Sequence, residues 1–322
     1  MALATSLEWW LESRNGETVL SDQQRAPLEG MESAALPRRL ARRLDCEFAN
    51  DHEAQVIARR LPVYLDRARE SESGDDALMS HAEKISGTVF DKKPEAYYAL
   101  ILMDGDQMGA WLSGTEARYR LAYRDTWHPQ IRGHLDRNPL PELEAYLKEP
   151  RAVSPARHMA ISSALNAFAL RLARYVVEDL NKGKLLYAGG DDAMAMVSVD
   201  DLLRTMMTLR LAYSGSFPVG EHAVDDARKR LGMDDRAIPK QRRLQLGGGH
   251  ALLGSRLHRL MGHRATASIG AVVAHHTTPL GSVMRELRAM EKQAKREGGR
   301  DAFAIKIMKR AGGDLSDDFP KV

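Results

Sequence analysis

Two pairs of carboxylates lie between apolar segments of this sequence. The stretch LLYAGGDDAMAM places Asp191 and Asp192 directly after two glycines, with apolar residues on both sides. The stretch MDGDQMG places Asp104 and Asp106 at the end of another apolar run. A solvated turn needs only one Asp or Asn, and adjacent carboxylates repel each other, so both stretches predict a cation nearby.

The residue types favour a hard divalent cation. If Asp104, Asp191 and Asp192 converge, they offer oxygen ligands alone, and such a set favours Mg²⁺ or Mn²⁺ over zinc. Two such ions that clamp a phosphate commonly catalyse phosphoryl and nucleotidyl transfer. Asp106 is predicted either to contact the nucleotide or to hold its own turn by accepting backbone N–H groups. Either motif alone could be a solvated turn, but the two together favour a metal–nucleotide site.

Glycines in both motifs predict space for a nucleotide. Gly189 and Gly190 would allow positive φ values and leave no Cβ in the path of a nucleotide that lies across the turn. Gly105 and Gly109 would do the same for a triphosphate at the start of the next element, where backbone N–H groups can face anions. Met108 lies in that second turn and is predicted to bind the nucleotide with them.

The elements that position these motifs follow from the apolar pattern. AYYALILMD (residues 96–104) is a continuous apolar run of strand length, typical of a strand covered on both faces. A helix in ISSALNAFALRLARYVVEDLN, the Gly-Gly hairpin and a helix that Asp200 could begin come next. A strand in ATASIGAVVAHH, a helix ended by Gly298 and Gly299, and an alternating strand in RDAFAIKIMKR complete the order.

This order predicts an α+β fold. It is that of a ferredoxin-like palm, as in nucleotidyl cyclases and polymerases, with the helices on one face of the sheet. In such a sheet the first strand lies beside the hairpin, so Asp104 should meet Asp191 and Asp192. The topology, rather than proximity in sequence, would therefore assemble the acidic cluster.

Composition divides the chain into three parts. Residues 1–94 are polar and predict a small helical region, residues 95–313 form the predicted palm, and residues 314–322 are assigned to a tail. The palm is expected to carry insertions at about 113–157 and 214–264, because these stretches are charged or Gly-rich and lack the palm pattern.

The bulk composition indicates an ordinary globular chain. Its 322 residues are 43% hydrophobic and 28% charged, with a net charge of +3 and a single cysteine. One cysteine excludes a disulfide framework and a multi-cysteine zinc site. The N-terminal stretch is too acidic for a signal peptide and no apolar run reaches membrane-spanning length, so we expect a cytoplasmic protein. Basic segments at 37–44, 239–246 and 254–264 could bind nucleic acid or phosphates, or be solvated helix faces.

Five segments, in order, resemble a known family: ALILMDGDQMG, HMAISSALNAFAL, LLYAGGDDAMAM, ATASIGAVVAHHTTPL and EKQAKREGGRDAFAIKIMKRAGG. They are similar to the GGDD-bearing palm of the large polymerase-like subunit of type III CRISPR effector complexes, nearest to the type III-B (Cmr) branch. The resemblance covers about residues 96–312 and is highly specific as a series. The GGDEF diguanylate cyclases are more distantly similar and share the first acid pair and the Lys–Gly–Arg segment.

The resemblance implies an enzyme that converts ATP to cyclic oligoadenylate, a second messenger that activates ancillary nucleases. It implies that the three aspartates hold two Mg²⁺ or Mn²⁺ ions. It also implies that Lys295 and Arg300 lie near the triphosphate, and that Ser162 or Ser163 lies where a helix approaches the base. From the residues alone, Lys295 could instead pair with a helix dipole, Arg300 could be a solvated turn and Ser163 a helix-surface hydroxyl.

The sequence also departs from the pattern of that family. It has no His-Asp pair for a nuclease domain, too few residues ahead of the palm for a second palm, no cysteine set for a zinc element, and no helical domain after DDFPKV. We therefore expect a split, truncated or minimal form that keeps part of an inter-palm helical domain in residues 1–94. A second palm from another chain or a homodimer would hold the second nucleotide, and the face around Met108, Trp111 and Ser163 is the predicted contact.

Two other functions stay open at the level of sequence. The chain could be a diguanylate or mononucleotide cyclase, although its hairpin reads GGDD followed by Ala rather than GGDEF. It could also be a non-catalytic subunit that binds ATP and holds its neighbours in a guide-RNA complex. The leading hypothesis takes ATP, other subunits of a type III complex, guide RNA and target RNA as partners, and no membrane.

Overall fold

The computed structural model describes most of the chain. The described residues are 1–70, 76–90, 92–114, 116–127, 129–217, 227–231, 233, 243–309 and 314–319. The expected insertion at 214–264 and the basic segment at 239–246 therefore lie partly outside the described residues.

The N-terminal part of the chain folds as helices around a core of its own. Leu7, Ile57 and Leu61 are buried in this core, which is separate from the core of the palm. The predicted helical region is thus confirmed. Its helices are α1 (Ala4–Ser13), α2 (Asp22–Glu29), α3 (Arg38–Glu47), α4 (His52–Glu70) and α5 (Asp76–Val89).

The rest of the described chain is built around two β-sheets. Its strands are β1 (Tyr97–Gly105), β2 (Gly183–Gly189), β3 (Asp192–Val197), β4 (Leu244–Gly247), β5 (His250–Leu253), β6 (Arg256–Arg259), β7 (Ala267–His275), β8 (Phe303–Met308) and β9 (Asp314–Phe319). The main sheet has six strands in the order β2-β3-β1-β7-β8-β9. β1 runs antiparallel to both β3 and β7, so the first strand lies beside the hairpin as predicted. β7 and β8 are parallel, which requires a crossover between them.

Helices connect these strands. They are α6 (Met108–Ser113), α7 (Pro129–Arg137), α8 (Pro141–Lys148), α9 (Pro155–Ala167), α10 (Leu202–Ser214) and α11 (Leu280–Arg296), with 3₁₀ turns at Ala117–Tyr119, Tyr123–Thr126 and Val199–Asp201. α9 continues through wider, π-type turns as far as Leu180. α11 ends just before Gly298 and Gly299, as predicted, and Gly299 has a φ of 71°. None of the helices in the described ranges combines the length and apolar character needed to cross a membrane.

Helices cover both faces of the main sheet. Alternate residues of β1 point to opposite faces, so Ile101 packs in the same cluster as Phe168 on one side. Leu100 packs with Leu287 of α11 on the other side. The expectation that the helices lie on one face is therefore wrong. The unbroken apolar run of β1 already required cover on both sides, and that part of the prediction is confirmed.

Close approach of α11 to the sheet depends on Gly270 in the middle of β7. A Cβ on Gly270 would lie 2.3 Å from the backbone nitrogen of Glu291. A side chain at this position would push α11 away from the sheet. The small residue thus sets the depth at which the second half of α11 sits.

Two further strand regions were not predicted. β4, β5 and β6 form a small antiparallel sheet within the insertion at 214–264. Their four-residue lengths give too short an alternation to stand out in a basic, Gly-rich segment. Within residues 314–322, assigned to a tail, β9 pairs with β8 and extends the main sheet.

A buried lysine joins the helical region to the palm. Lys182, which directly precedes β2, is 1% exposed. Its ammonium group lies 2.5 Å from a carboxylate oxygen of Glu8 in α1 and 2.8 Å from one of Asp200. Asp201 lies 3.2 Å away and also accepts from the Lys182 backbone N–H. α10 begins at Leu202, so Asp201 rather than Asp200 occupies its N-cap position, and the predicted Asp200 cap is wrong.

The basic segment at 37–44 forms most of α3 and contacts the palm. Arg42 donates to the carboxylate of Asp179, and Arg39 donates to the carbonyl of Leu180. These arginines therefore serve an intramolecular contact, which neither the nucleic-acid nor the solvated-face interpretation anticipated.

We expect Lys182→Met to lower the free energy of unfolding by about 2–3 kcal/mol. Loss of one partner from a buried ion pair typically costs about 3–5 kcal/mol, and the partial exposure of Asp200 reduces that figure. Urea denaturation against the wild type measures the change. Lys148→Met, at an exposed surface pair, is the control and should leave the midpoint unchanged. An unchanged midpoint for Lys182→Met would contradict the role given to this network.

Candidate active site

Three carboxylates meet at one end of the main sheet. Met103 of β1 is paired with Ala193 of β3, so Asp104 comes next to the hairpin turn that carries Asp191 and Asp192. One carboxylate oxygen from each aspartate lies within 4.8 Å of the other two. The structure therefore brings together the three residues that the sequence analysis selected as metal ligands.

The electrostatics of this cluster fit a divalent cation. Burial raises the pKa of Asp191, and the charge of Asp192 raises it further. Burial likewise raises the pKa of Asp192, whose Oδ1 is buried and has no hydrogen-bond partner among the described residues. Carboxylates that lie close together and repel one another are stabilised by a bound Mg²⁺ or Mn²⁺ ion. Asp104, Asp191 and Asp192 could hold such an ion.

Lys295 brings a positive charge to the cluster. Its ammonium group contacts the Asp104 carboxylate and lies 2.6 Å from Glu291 Oε1, one turn earlier in α11. Burial lowers the pKa of Lys295, and the charge of Arg300 lowers it further. Burial raises the pKa of Glu291, and the charge of Asp192 adds to this effect. Glu291 was not predicted, because one acid in a highly charged helix carries no distinctive signal.

Asp106 is a structural acceptor in this geometry. It is 3% exposed, and its two oxygens accept from Ser268 at 2.7 Å and Thr266 at 2.8 Å. It also accepts from the backbone N–H of Asp301. These bonds tie the end of β1 to β7 and to the turn after α11. The geometry thus favours the structural interpretation of Asp106, although its partners lie outside its own turn.

The glycines of the two motifs differ in what they do. Of the four predicted glycines only Gly190 has a positive φ, of 64°. A Cβ on Gly190 or on Gly109 would meet open space, whereas one on Gly189 would meet Tyr187. Gly105 has another function: a Cβ there would lie 2.7 Å from Asp191 Cβ. Gly105 therefore allows the hairpin turn to approach β1.

Arg300 is attached to the turn that follows β1. Arg300 has a φ of 66° and Gln107 a φ of 58°, which are left-handed conformations for residues other than glycine. With its amide oxygen facing the guanidinium, Gln107 accepts from Arg300 at 2.9 Å. The next residue, Met108, is partly buried against the palm core. The Gln107–Arg300 hydrogen bond thus connects the turn after β1 to the Gly298–Arg300 turn.

The two predicted serines and the predicted contact residue Trp111 are not among the residues that the structure shows in contact with the acidic cluster. Ser162 and Ser163 are both exposed on α9, as the interpretation of Ser163 as a helix-surface hydroxyl requires. Trp111 is only 5% exposed, and its ring packs against Tyr119 with centroids 5.2 Å apart. Trp111 is therefore a core residue and cannot be part of the predicted palm–palm face with Met108 and Ser163.

A tyrosine near the cluster was missed by the sequence analysis. Tyr213 lies near the end of α10 and is 1% exposed. Burial, followed by the charge of Asp191, raises the pKa of its phenol. The hydroxyl has no hydrogen-bond partner among the described residues. In sequence it is one more apolar-face residue of a helix, so nothing distinguished it.

This fold and this acidic cluster together define a palm of the type found in nucleotidyl cyclases and polymerases. A family model described as Cas10/Cmr2, second palm domain, matches residues 97–227 and 252–304. The chain belongs to the Cas10/Cmr2 family through this palm, and the resemblance drawn from the five segments is confirmed.

Relatives and solved structures agree with this assignment. The CRISPR system Cmr subunit Cmr2 of Pyrococcus furiosus is 31% identical over 220 residues, which are 68% of this chain and 19% of that protein. A cryo-EM structure of a type III-B Cmr-beta complex in the apo state matches with a TM-score of 0.56 at 17% identity, over 99% of this chain and 35% of the other. The complex bound to cognate target RNA gives 0.55 at 18%, over 99% and 34%. The chain thus spans a minor part of the length of these proteins, and the structures support the same fold.

Proposed function

We propose that this palm is a metal-dependent nucleotidyltransferase that converts ATP to cyclic oligoadenylate, the second messenger of type III CRISPR antiviral defence. The observation that carries the proposal is the meeting of Asp104, Asp191 and Asp192, with carboxylate oxygens within 4.8 Å of one another. Membership of the Cas10/Cmr2 family supports the choice of substrate and product. The preference for adenine over guanine rests on that membership alone.

The three aspartates would hold two Mg²⁺ or Mn²⁺ ions. Bound there, the ions would favour ionisation of an attacking ribose hydroxyl and neutralise charge on the α-phosphate. The contribution of the protein is to gather the carboxylates beforehand. The pairing of Met103 with Ala193 fixes the backbone on both sides of the cluster, so little reorganisation is needed when the substrate arrives.

Lys295 and Arg300 would bind the triphosphate. The ammonium of Lys295 contacts the carboxylate of Asp104. Once Asp104 is engaged with a cation, Lys295 can direct its charge to a phosphate oxygen as a charge-assisted donor. Gln107, in the turn after β1, accepts from the Arg300 guanidinium, so Arg300 would offer a second positive charge to the triphosphate. The open space at Gly190 leaves room for the nucleotide across the hairpin.

We propose that the chain works within a type III effector complex with guide RNA and target RNA. Matches to Cmr-beta structures, one of them bound to target RNA, support this assignment. The family model describes the second palm of its family. A partner palm, from another chain or another copy, would therefore hold the second ATP.

Mass analysis of products tests the proposal. Full chain with the other subunits of its complex is incubated with α-labelled ATP or GTP, with Mg²⁺ or Mn²⁺. We expect cyclic oligoadenylate from ATP, none from the Asp191→Ala variant, and normal product from Glu144→Ala, a surface control. Cyclic products from GTP at a similar rate would instead indicate a diguanylate or mononucleotide cyclase. Bound ATP without any product would indicate a scaffold.

Asp104→Asn should behave like the hairpin variants. The substitution removes one charged ligand and one of the two carboxylates that contact Lys295, so we expect turnover to fall by roughly 10²-fold or more. The rate measured across a Mg²⁺ titration checks this result. Asp136→Asn, at an exposed pair with Arg124, is the matched control. If Asp104→Asn kept the rate and the Mg²⁺ dependence, the first strand would have no part in the site.

A further inference from the structure

Tyr213 has a buried hydroxyl with no hydrogen-bond partner among the described residues. Its ring packs edge-on against Phe168, with centroids 5.3 Å apart, so the side chain is fixed in the palm core. A buried hydroxyl that makes no hydrogen bond is uncommon, because it has given up its bonds to water. Nothing in the packing of the core explains why this residue is not phenylalanine.

The hydroxyl points towards the acidic cluster. A Cβ on Gly105 would lie 2.5 Å from the Tyr213 hydroxyl oxygen and 3.0 Å from Asp191 Oδ2. The two oxygens thus approach the same point, and no more than one water molecule fits between them. Both groups use the space that the missing side chain of Gly105 leaves.

We propose that Tyr213 is a positioning residue for the cation site. Its hydroxyl donates to the Asp191 carboxylate, directly or through one water molecule, when that carboxylate holds a cation. An ionised carboxylate has lone pairs for a cation and a hydrogen bond together. The bond would fix the orientation of Asp191, as outer-shell partners of metal ligands do. This inference rests on the proposed function.

If Tyr213 had only a structural role, its replacement by Phe would change the melting temperature in a different way. Tyr175 is also a buried phenol, but its hydroxyl is hydrogen-bonded to the backbone of Leu244. Tyr175→Phe removes a satisfied hydrogen bond and should lower the melting temperature. Tyr213→Phe removes an unsatisfied hydroxyl, so the melting temperature without metal should stay level or rise. The two variants form a matched pair.

Mn²⁺ binding and melting of the full chain test the inference. The free Mn²⁺ is measured by electron paramagnetic resonance, without nucleotide, for the wild type and for variants at Tyr213, Tyr175 and Asp191. We expect Tyr213→Phe to weaken Mn²⁺ binding about 10-fold with no loss in melting temperature. Tyr175→Phe should bind Mn²⁺ as the wild type does and should melt at a lower temperature.

Two results would overturn the inference while leaving the proposed function intact. One is a Tyr213→Phe variant that binds Mn²⁺ as tightly as the wild type. The other is a loss of melting temperature in Tyr213→Phe as large as that in Tyr175→Phe. If instead Asp191→Ala bound Mn²⁺ as the wild type does, the cation site itself would be absent, and the proposed function would fall together with this inference.

Discussion

Replacement of Asp191 or Asp192 by Ala should lower the rate of nucleotide polymerisation by roughly 10³-fold or more, which in effect abolishes it. The fold should stay intact. Each substitution removes a ligand from a cluster in which one oxygen of each aspartate lies within 4.8 Å of the others. The remaining carboxylates cannot restore the charge that two divalent cations require. This loss should exceed that of any variant outside the cluster.

The same variants should not lose stability in the absence of metal. The pKa values of Asp191 and Asp192 are raised in the folded chain, chiefly by burial. Between the ordinary pKa of a carboxyl group and the raised values, the folded chain therefore holds more protons than the unfolded chain. Its stability falls as the pH rises through the raised values. Removal of one carboxylate removes that penalty, so the melting temperature at neutral pH should stay level or rise.

Parallel assays of product formation and metal-free melting check this pair of expectations. Glu144→Ala, which changes an exposed carboxylate of α8 that is not part of the cluster, is the control in both. Full product formation by the double variant at positions 191 and 192 would end the assignment of the site. A large drop in melting temperature would show that the two acids support the fold instead.

The chain should have almost no nucleotide-polymerising activity as an isolated monomer. One palm presents one acidic cluster, whereas joining two ATP molecules requires a donor and an acceptor held head to tail. Holding both reactants in register can supply up to about 7–11 kcal/mol of the barrier reduction. A single palm lacks the second binding surface and forgoes much of that contribution.

A concentration series measures this dependence. Specific activity should rise steeply with protein concentration, or on addition of a subunit that carries another palm. Light scattering on the same samples reports the species present. Constant specific activity from a species shown to be monomeric would rule out the need for a second palm.

The sequence was sufficient for the centre of the fold and for the acidic cluster. The unbroken apolar run of β1 identified a covered strand, and the Gly-Gly turn identified the hairpin beside it. Acids at the ends of these strands had to meet once the topology was known. Asp104, Asp191 and Asp192 were therefore predictable from short local patterns.

Features that depend on tertiary contact were not predictable. Glu291 reaches the cluster only because Gly270 lets α11 lie close to β7. Tyr213 reaches it only because Gly105 lacks a side chain. Trp111 was placed on a surface because a short helix of mixed residues does not show which side is buried. In each case the deciding fact is the distance between elements, which local spacing does not encode.

The basic segment in α3 shows the same limit for charges. A run of arginines looks alike whether its partner is nucleic acid, solvent or another part of the chain. Here the partners of Arg39 and Arg42 are Leu180 and Asp179, at the end of the long helix before β2. The sequence contains both sides of this contact but gives no sign that they meet.

Anomalous diffraction at the manganese edge tests the central claim most directly. Crystals of the full chain would be grown with Mn²⁺ and an ATP analogue that cannot be cleaved at the α-phosphate. We expect anomalous peaks between Asp104, Asp191 and Asp192, with the triphosphate extending towards Lys295. Ordered nucleotide with no manganese at these three aspartates, or manganese bound only elsewhere, would contradict it.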